Sequence, residues 1–495
     1  MFDLQTRVSR VWALAAPFRL DSLRYQAVRE AQTKPESLHT TRGNSLTHAL
    51  VNPGTAIALI SFLLTALWAF AIKPFDAPDE PAHLQSIMEV RDYHRLPEIH
   101  YDLSTPRGQV IGSPGDEAAR NYAIKQGVTN PYNLIPYEAM QPPLYYLASG
   151  VAALALPSDP EYVLYLGRLV SALFGAATVY FCWAATRQFA PEKPAWAISV
   201  AALVALLPQF CFNSATAAND SALNLAASAS FYVWIRSLRE VNYDPWMLRA
   251  GALIGLGVVS KLTTTALIPG LAVVVAFRIP QSGLGQVPLR ETLKRGARLA
   301  TGASAAAVAV CGWWLIRNLI VYGEVTGSKN AIAFYKGRFD QLDPRMLFAS
   351  DFFERTWQST WGRFSWNDLT MPEFFYEQTR YLSVAFLALT FVVAMRYLLR
   401  GHKSPDDPSA FRLHAVWAMI VVAIIMVASY LQFSFTVAFG PQGRYLFPLL
   451  LPMALLFTGG VNALPTRRLT VLAMGILLSW LAVSNVIGLA VVSSH

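Results

Sequence analysis

Residues 54–83 read GTAIALISFLLTALWAFAI followed by KPFDAPDEPAH. The first nineteen carry no charge, and Lys73, Asp76, Asp79, Glu80 and His83 crowd into the next eleven. A hydrocarbon core about 30 Å thick takes roughly 20 apolar residues in helix, because unpaired backbone groups are not tolerated there. Residues 54–72 therefore read as a transmembrane helix, and residues 73–83 as chain emerging at the membrane surface. Ten further apolar stretches follow: 163–186, 195–212, 221–235, 250–260 and 262–277 split by Lys261, 299–316, 381–395, 415–433, 446–464 and 469–492. The expectation is an all-α polytopic membrane protein with about eleven crossings.

Composition agrees. Of 495 residues, 54% are hydrophobic and 14% charged, with a mean hydropathy of +0.35. A soluble chain carries about a quarter charged residues, so several water-soluble domains, disorder and collagen-like repeats are excluded. The three cysteines, Cys182, Cys211 and Cys311, each lie in apolar sequence and imply no disulfide framework. The net charge of +9 is explained by topology rather than nucleic acid, which is not expected as a partner. Short cytoplasmic loops accumulate Lys and Arg. If the short apolar stretch 143–157 does not cross, one side collects the basic loops around Arg187, Arg236, Arg278, Arg295, Arg400 and Arg467, together with a basic N-terminal segment, residues 1–53. That segment, with Trp12 and Phe18 among its arginines, reads as a helix on anionic lipid. No cleavable signal peptide is read, because the first apolar run lies deep in the chain.

The opposite side then receives two large loops, residues 73–162 and 317–380, and short turns at 213–220, at Lys261 and at 439–445. Interfacial helices are expected in the first loop. Its carboxylates sit where they are partly desolvated and so suit acid–base work. Pro81 fits the first turn of a helix. On that helix Asp79 and His83, four apart, share a face, while helix capping explains Asp79 equally well. Glu138 precedes a double proline. Tyr145 and Tyr146 read as interfacial anchors. Asp220 opens a span, where the helix dipole alone favours an acid, yet parity puts it on the side of Asp79.

Lys261, Arg317 and Arg444 fall at the same outer boundary. Snorkelling accounts for any one of them; together they suit an anionic head group, since Arg and Lys hold phosphate through charge-assisted hydrogen bonds. Arg168, six residues inside a span, reads as a functional group or as the partner of a neighbouring helix. The segment 359–366, STWGRFSW, mixes aromatic and basic residues that suit interfacial anchoring or sugar stacking. No glycine-rich phosphate loop occurs, and the eight histidines show no metal-ligand spacing.

Taken in order, DEPAH at 79–83, QPPLYY at 141–146, ND at 219–220, SKLT at 260–263, WWLIRN at 313–318 and QGRYL at 442–446 resemble a bacterial branch of the GT-C glycosyltransferases. These are polytopic enzymes that use polyprenyl-phosphate sugars, and the closest likeness is to a domain family with a Pro-Asp-Glu-Pro-Ala-His signature. The resemblance covers residues 54–465 and implies a GT-C-like domain over 54–495. It also implies catalytic acids in the first outer loop, Asp79 and Glu80, a second acid at Asp220, and transfer with inversion from a lipid phosphate to a lipid, glycan or protein acceptor. The site would face the exterior of the bacterial cytoplasmic membrane.

On chemical grounds such transfer needs a base at the acceptor and cations on the departing phosphate. Asp79 is the expected base. Arg317, Arg444 and Lys261 are the expected phosphate ligands, with Asp220, Glu138 and His83 orienting the acceptor or a Mg²⁺ or Mn²⁺ ion. Membrane-level charges also fit a transporter or flippase, and a non-catalytic partner in polysaccharide assembly is the third reading.

Overall fold

The computed structural model describes residues 52–102, 109–111, 115–240, 242, 244–279, 288–335, 340–399 and 410–495. All but the last two residues of the basic segment 1–53 lie outside them.

Every stretch expected to cross is helical. Asn52 caps α1 (Pro53–Ala71) by accepting from the Gly54 N–H at 2.8 Å, with Pro53 in the first turn. The helix buries Gly54, Ser61, Thr65, Trp68 and Ala69, while Leu59, Ile60, Leu63, Leu67 and Phe70 are more than half exposed. Trp68 apart, small and polar side chains inside with bulky apolar ones outside is the reverse of a soluble helix and suits a lipid surround. The first outer loop folds as α2 (Glu80–Tyr93), the hairpin β1 (His100–Asp102) and β2 (Gln109–Ile111), α3 (Glu117–Lys125) and α4 (Leu144–Ala153). Ten residues of α4 rise about 15 Å, half the hydrocarbon thickness, in keeping with a segment that does not cross.

Then come α5 (Pro160–Phe189), α6 (Pro194–Ala205), α7 (Pro208–Ser214), α8 (Asp220–Arg239), α9 (Asp244–Val258), α10 (Ile268–Arg278) and α11 (Leu289–Tyr322). The second outer loop holds α12 (Ser328–Tyr335), α13 (Phe352–Trp361) and the hairpin β3 (Arg363–Phe364) and β4 (Leu369–Thr370). Helices α14 (Glu373–Leu399), α15 (Ala410–Thr436), α16 (Leu450–Gly459) and α17 (Arg467–Ser494) complete the order. Among the described residues α1, α5, α11, α14, α15 and α17 are long and apolar enough to cross alone, and α6 with α7 forms a further pair bent by 64°. The remaining expected crossings are helices either shorter or less apolar than these.

The main core joins Trp68, Phe212 and Phe364 of α1, α7 and β3, with ring centroids 5.1–6.3 Å apart. Helices α9 and α11 touch backbone to backbone, since a Cβ on Gly251 would stand 2.0 Å from the Ala303 carbonyl oxygen. A second core lies in the outer loop, where Leu84, Ile87 and Met88 of α2 meet Tyr145, Tyr146, Val163 and Leu164. Residues 80–91 of α2 are all buried although the helix is polar. It is an internal strut of the outer layer, and the bonds of its first turn build the site.

Candidate functional site

Asp79 stands at the N-cap of α2 with φ +69°, in the left-handed region, and makes no capping bond. Capping therefore does not explain it. Its carboxylate accepts instead from Tyr137 Oη at 2.8 Å and from Arg444 Nη2 at 2.8 Å. Arg444 also reaches Asp220, with Nη1 3.7 Å from Oδ2, and Lys261 Nζ donates to the other oxygen of Asp220. Four charges from four remote segments thus meet, and their side chains are 11–26% exposed. Lys261 arrives through the break between α9 and the 3-10 turn Leu262–Leu267. Arg444 arrives on the first turn of the 3-10 helix Gly443–Leu449. That turn is pinned, because a Cβ on Gly443 would stand 2.6 Å from the Thr360 backbone nitrogen, and the Gly443 N–H donates to Ser359 Oγ at 2.8 Å.

Two neutral groups flank the charges. His83 shares a 2.9 Å hydrogen bond through Nδ1 with Tyr146 Oη, and burial pushes it down to about 4 against the pull of Asp79. Glu138 is 6% exposed; burial, reinforced by the charge of Asp79, pushes its carboxyl up to about 8. Burial works to raise Asp79 as well, but the Arg444 guanidinium and the bonds from Arg444 and Tyr137 outweigh it and hold the acid below its ordinary range. At neutral pH the pattern is an ionised Asp79, a protonated Glu138 and an uncharged His83.

Glu80 does not join this cluster. It is fully buried and grips Arg168 through Nε at 2.8 Å and Nη2 at 2.7 Å, while accepting from the backbone N–H groups of Phe75 and Ala217. Arg168 in turn donates to the carbonyls of Ala69, Ile72 and Lys73 where α1 ends. With its oxygens so engaged, Glu80 ties α2 to α1 and α5 and stands apart from Asp79 and Asp220, with which it was expected to act. Arg317 is likewise elsewhere: Nη2 donates to the Pro97 carbonyl at 3.0 Å and lies 3.3 Å from Glu98, so it clasps the first outer loop rather than joining Arg444.

Tyr145 and Tyr146 are wholly buried and hydrogen-bonded, to the Gly167 carbonyl and His83 respectively, so they are not interfacial anchors. Tyrosine serves either role, and only the tertiary partner decides. Tyr137, which holds Asp79, carried no signal beyond its place beside Glu138. Within STWGRFSW, Trp361 and Phe364 are buried in the core, and Trp366 Nε1 donates to the Phe75 carbonyl at 3.3 Å.

Among the described residues no three His, Cys, Asp or Glu side chains converge as a metal site. Asp79 and Asp220 are already neutralised by Arg444 and Lys261, so the donor set does not fit a divalent cation. It does fit an anion, because Lys261 and Arg444 hold more N–H donors than the carboxylates consume, and Arg444 Nε is buried without a partner.

No curated protein sequence matches the chain. Among solved structures it is similar to ArnT from Cupriavidus metallidurans bound to undecaprenyl phosphate, at 16% identity and a TM-score of 0.46, covering 85% of this chain and 63% of that one. The apo state of the same protein gives 14%, 0.49, 83% and 60%. The apo oligosaccharyltransferase of Archaeoglobus fulgidus gives 12%, 0.48, 89% and 56%. The chain thus spans less than two thirds of the length of these structures. Residues 62–453 match the profile of the predicted membrane proteins DUF2142, and the chain belongs to that family.

Proposed function

We propose that the cluster of Asp79, Asp220, Lys261 and Arg444 is the active site of an inverting glycosyltransferase. It takes a sugar from a polyprenyl-phosphate donor and delivers it to a lipid, glycan or protein acceptor of the cell envelope, on the exterior face of the bacterial cytoplasmic membrane. The carrying observation is Arg444, which binds Asp79 at 2.8 Å and keeps an unpartnered Nε.

The chemistry follows from that geometry. A departing lipid phosphate takes the spare donors of Arg444 and Lys261, which meet the charge that develops on its bridging oxygen. Drawing Arg444 towards the phosphate weakens its hold on Asp79, whose carboxylate then becomes a better proton acceptor. The acceptor O–H or N–H gives its proton to Asp79 while its heteroatom attacks the anomeric carbon. The carbon–oxygen bond to phosphate breaks, the electron pair leaves with the phosphate, and the single displacement inverts the centre. Base activation thus waits for the donor. Asp220 holds Lys261 and Arg444 in place, and Glu138 and His83 offer neutral hydrogen-bonding groups to the acceptor.

The test is purified protein in lipid nanodiscs with a labelled polyprenyl-phosphate sugar and acceptor-bearing envelope extract. Release of polyprenyl phosphate that requires the extract supports the reading. Binding without release points to a carrier or an assembly partner, and undiminished turnover by Asp79→Asn removes the base assignment.

A further inference from the structure

Behind Arg444 the site wall carries a second set of polar groups, among which Arg363 is the one further charge. Between α7, the β3–β4 hairpin and the 442–444 turn lies a compartment of about 230 Å³ measured out to its open mouth, within which the centre of a water molecule has about 10 Å³ to occupy. Asn213, Asn367, Gln209, Pro78, Arg444 and Arg363 are among its lining, and the Arg363 guanidinium donates to the Asn367 carbonyl at 2.6 Å and to Gln358 Oε1 at 2.7 Å. Asn213 and Asn367 are each 7% exposed.

Backbone groups set both amides. The Arg363 N–H donates to Gln209 Oε1 at 2.6 Å, which turns Gln209 Nε2 towards Asn213 Oδ1 at 3.2 Å. Asn213 is left with Nδ2 and no partner. Asn367, held at φ +74° in the hairpin, donates from Nδ2 to the Pro441 carbonyl at 3.2 Å, which leaves its Oδ1 without a partner. Because a carbonyl and an N–H anchor the two chains of bonds, the usual exchange of amide O and N is excluded. One donor, one acceptor and the N–H of Arg444 Nε therefore stand unpaired on residues that line one small compartment, and folded proteins rarely leave buried groups so.

A hydroxyl answers that set, since one oxygen both donates and accepts and fills the space of a water. A carboxylate only accepts and would face Asn367 Oδ1; an ammonium only donates and would face Asn213 Nδ2 and Arg444. Pro78 precedes Asp79, and Arg444 is shared with the charged cluster, so the compartment adjoins the place of reaction. We propose that it receives one hydroxyl of the donor's sugar and so reads a neutral, hydroxylated ring next to the lipid phosphate. This rests on the glycosyl-transfer reading above, with the donor phosphate at Arg444 placing its sugar alongside.

The test compares binding of undecaprenyl phosphate with that of its glucose, mannose and arabinose conjugates, in the wild type and in Asn213→Ala and Asn367→Ala. The best conjugate should bind the wild type more tightly than the bare lipid phosphate. A lost hydrogen bond should shrink that advantage by about three- to ten-fold in each variant, with the bare lipid changed by less than about two-fold. An unchanged advantage means that the compartment holds a structural water only and overturns the proposal. So does an equal loss for bare and sugar-bearing lipid, or a wild type indifferent to the sugar. A wild type that binds no undecaprenyl phosphate at all instead sinks the functional reading itself.

Discussion

Arg444 Nη2 lies 2.8 Å from Asp79 Oδ2 across 365 residues of sequence. The pair joins the start of the outer loop to the last third of the chain, and it puts an acid under the control of a group that also suits phosphate.

Asp79→Asn should lower turnover about 10²- to 10⁴-fold, the range of general-base help. Removing the competing carboxylate also frees Arg444, so binding of undecaprenyl phosphate should hold or tighten, while Asp220 still balances the guanidinium. Single-turnover release of polyprenyl phosphate together with lipid binding separates the two effects.

Glu80→Gln should behave in the opposite way. It breaks a wholly buried pair with Arg168, and removing one partner of such a pair costs about 3–5 kcal/mol. The expected signature is a large fall in Tm, with turnover per folded molecule largely kept; a variant of unchanged Tm would contradict the structural role.

Arg317→Ala and Arg444→Ala should diverge. The first removes a clasp on Pro97 and Glu98, so it should expose the first outer loop to protease and leave lipid-phosphate affinity nearly intact. The second removes charge-assisted bonds worth about 1.5–3 kcal/mol, or roughly 10- to 150-fold in affinity. Equal losses of affinity in both variants would return Arg317 to the phosphate site.

Stability should depend on pH through two neutral groups of opposite sign. Glu138, raised to about 8 from 4.5, binds a proton in the folded state that the unfolded state releases, so its contribution is lost as pH rises towards 8. His83, lowered to about 4 from 6.5, is uncharged when folded and protonated when unfolded below 6.5, so its contribution is lost as pH falls. The two slopes oppose each other between about 4.5 and 6.5, and only the Glu138 slope remains above that window. Denaturation of Glu138→Gln across pH 6.5–8 should therefore show the decline removed; a slope identical to wild type would mean Glu138 is ionised in the fold.

Much of this was legible in the sequence because charge at the ends of apolar runs is conspicuous. Asp79, Asp220, Lys261 and Arg444 each stand where a span meets the outer loops, and the parity of basic loops puts them on one side. The same rule misplaced Arg317, since nearness to the membrane surface does not say which loop a guanidinium will grip. Glu80 and Asp79 are adjacent and alike in sequence. The left-handed turn at Asp79 sends one carboxylate to Arg444 and the other to Arg168, a divergence that only the backbone path reveals. Asn213 and Asn367 left no trace because amides stand out neither in charge nor in hydropathy; their meaning lies in the bonds they fail to make.

The missing side chain at Gly443 lets the arginine-bearing turn press directly on the backbone at Thr360. Two stretches of chain locked in that way act as one jaw without a hinge, so reagents must be steered into a preformed vice. Even an alanine at position 443 should therefore misalign the grip at a distance from any atom that touches them.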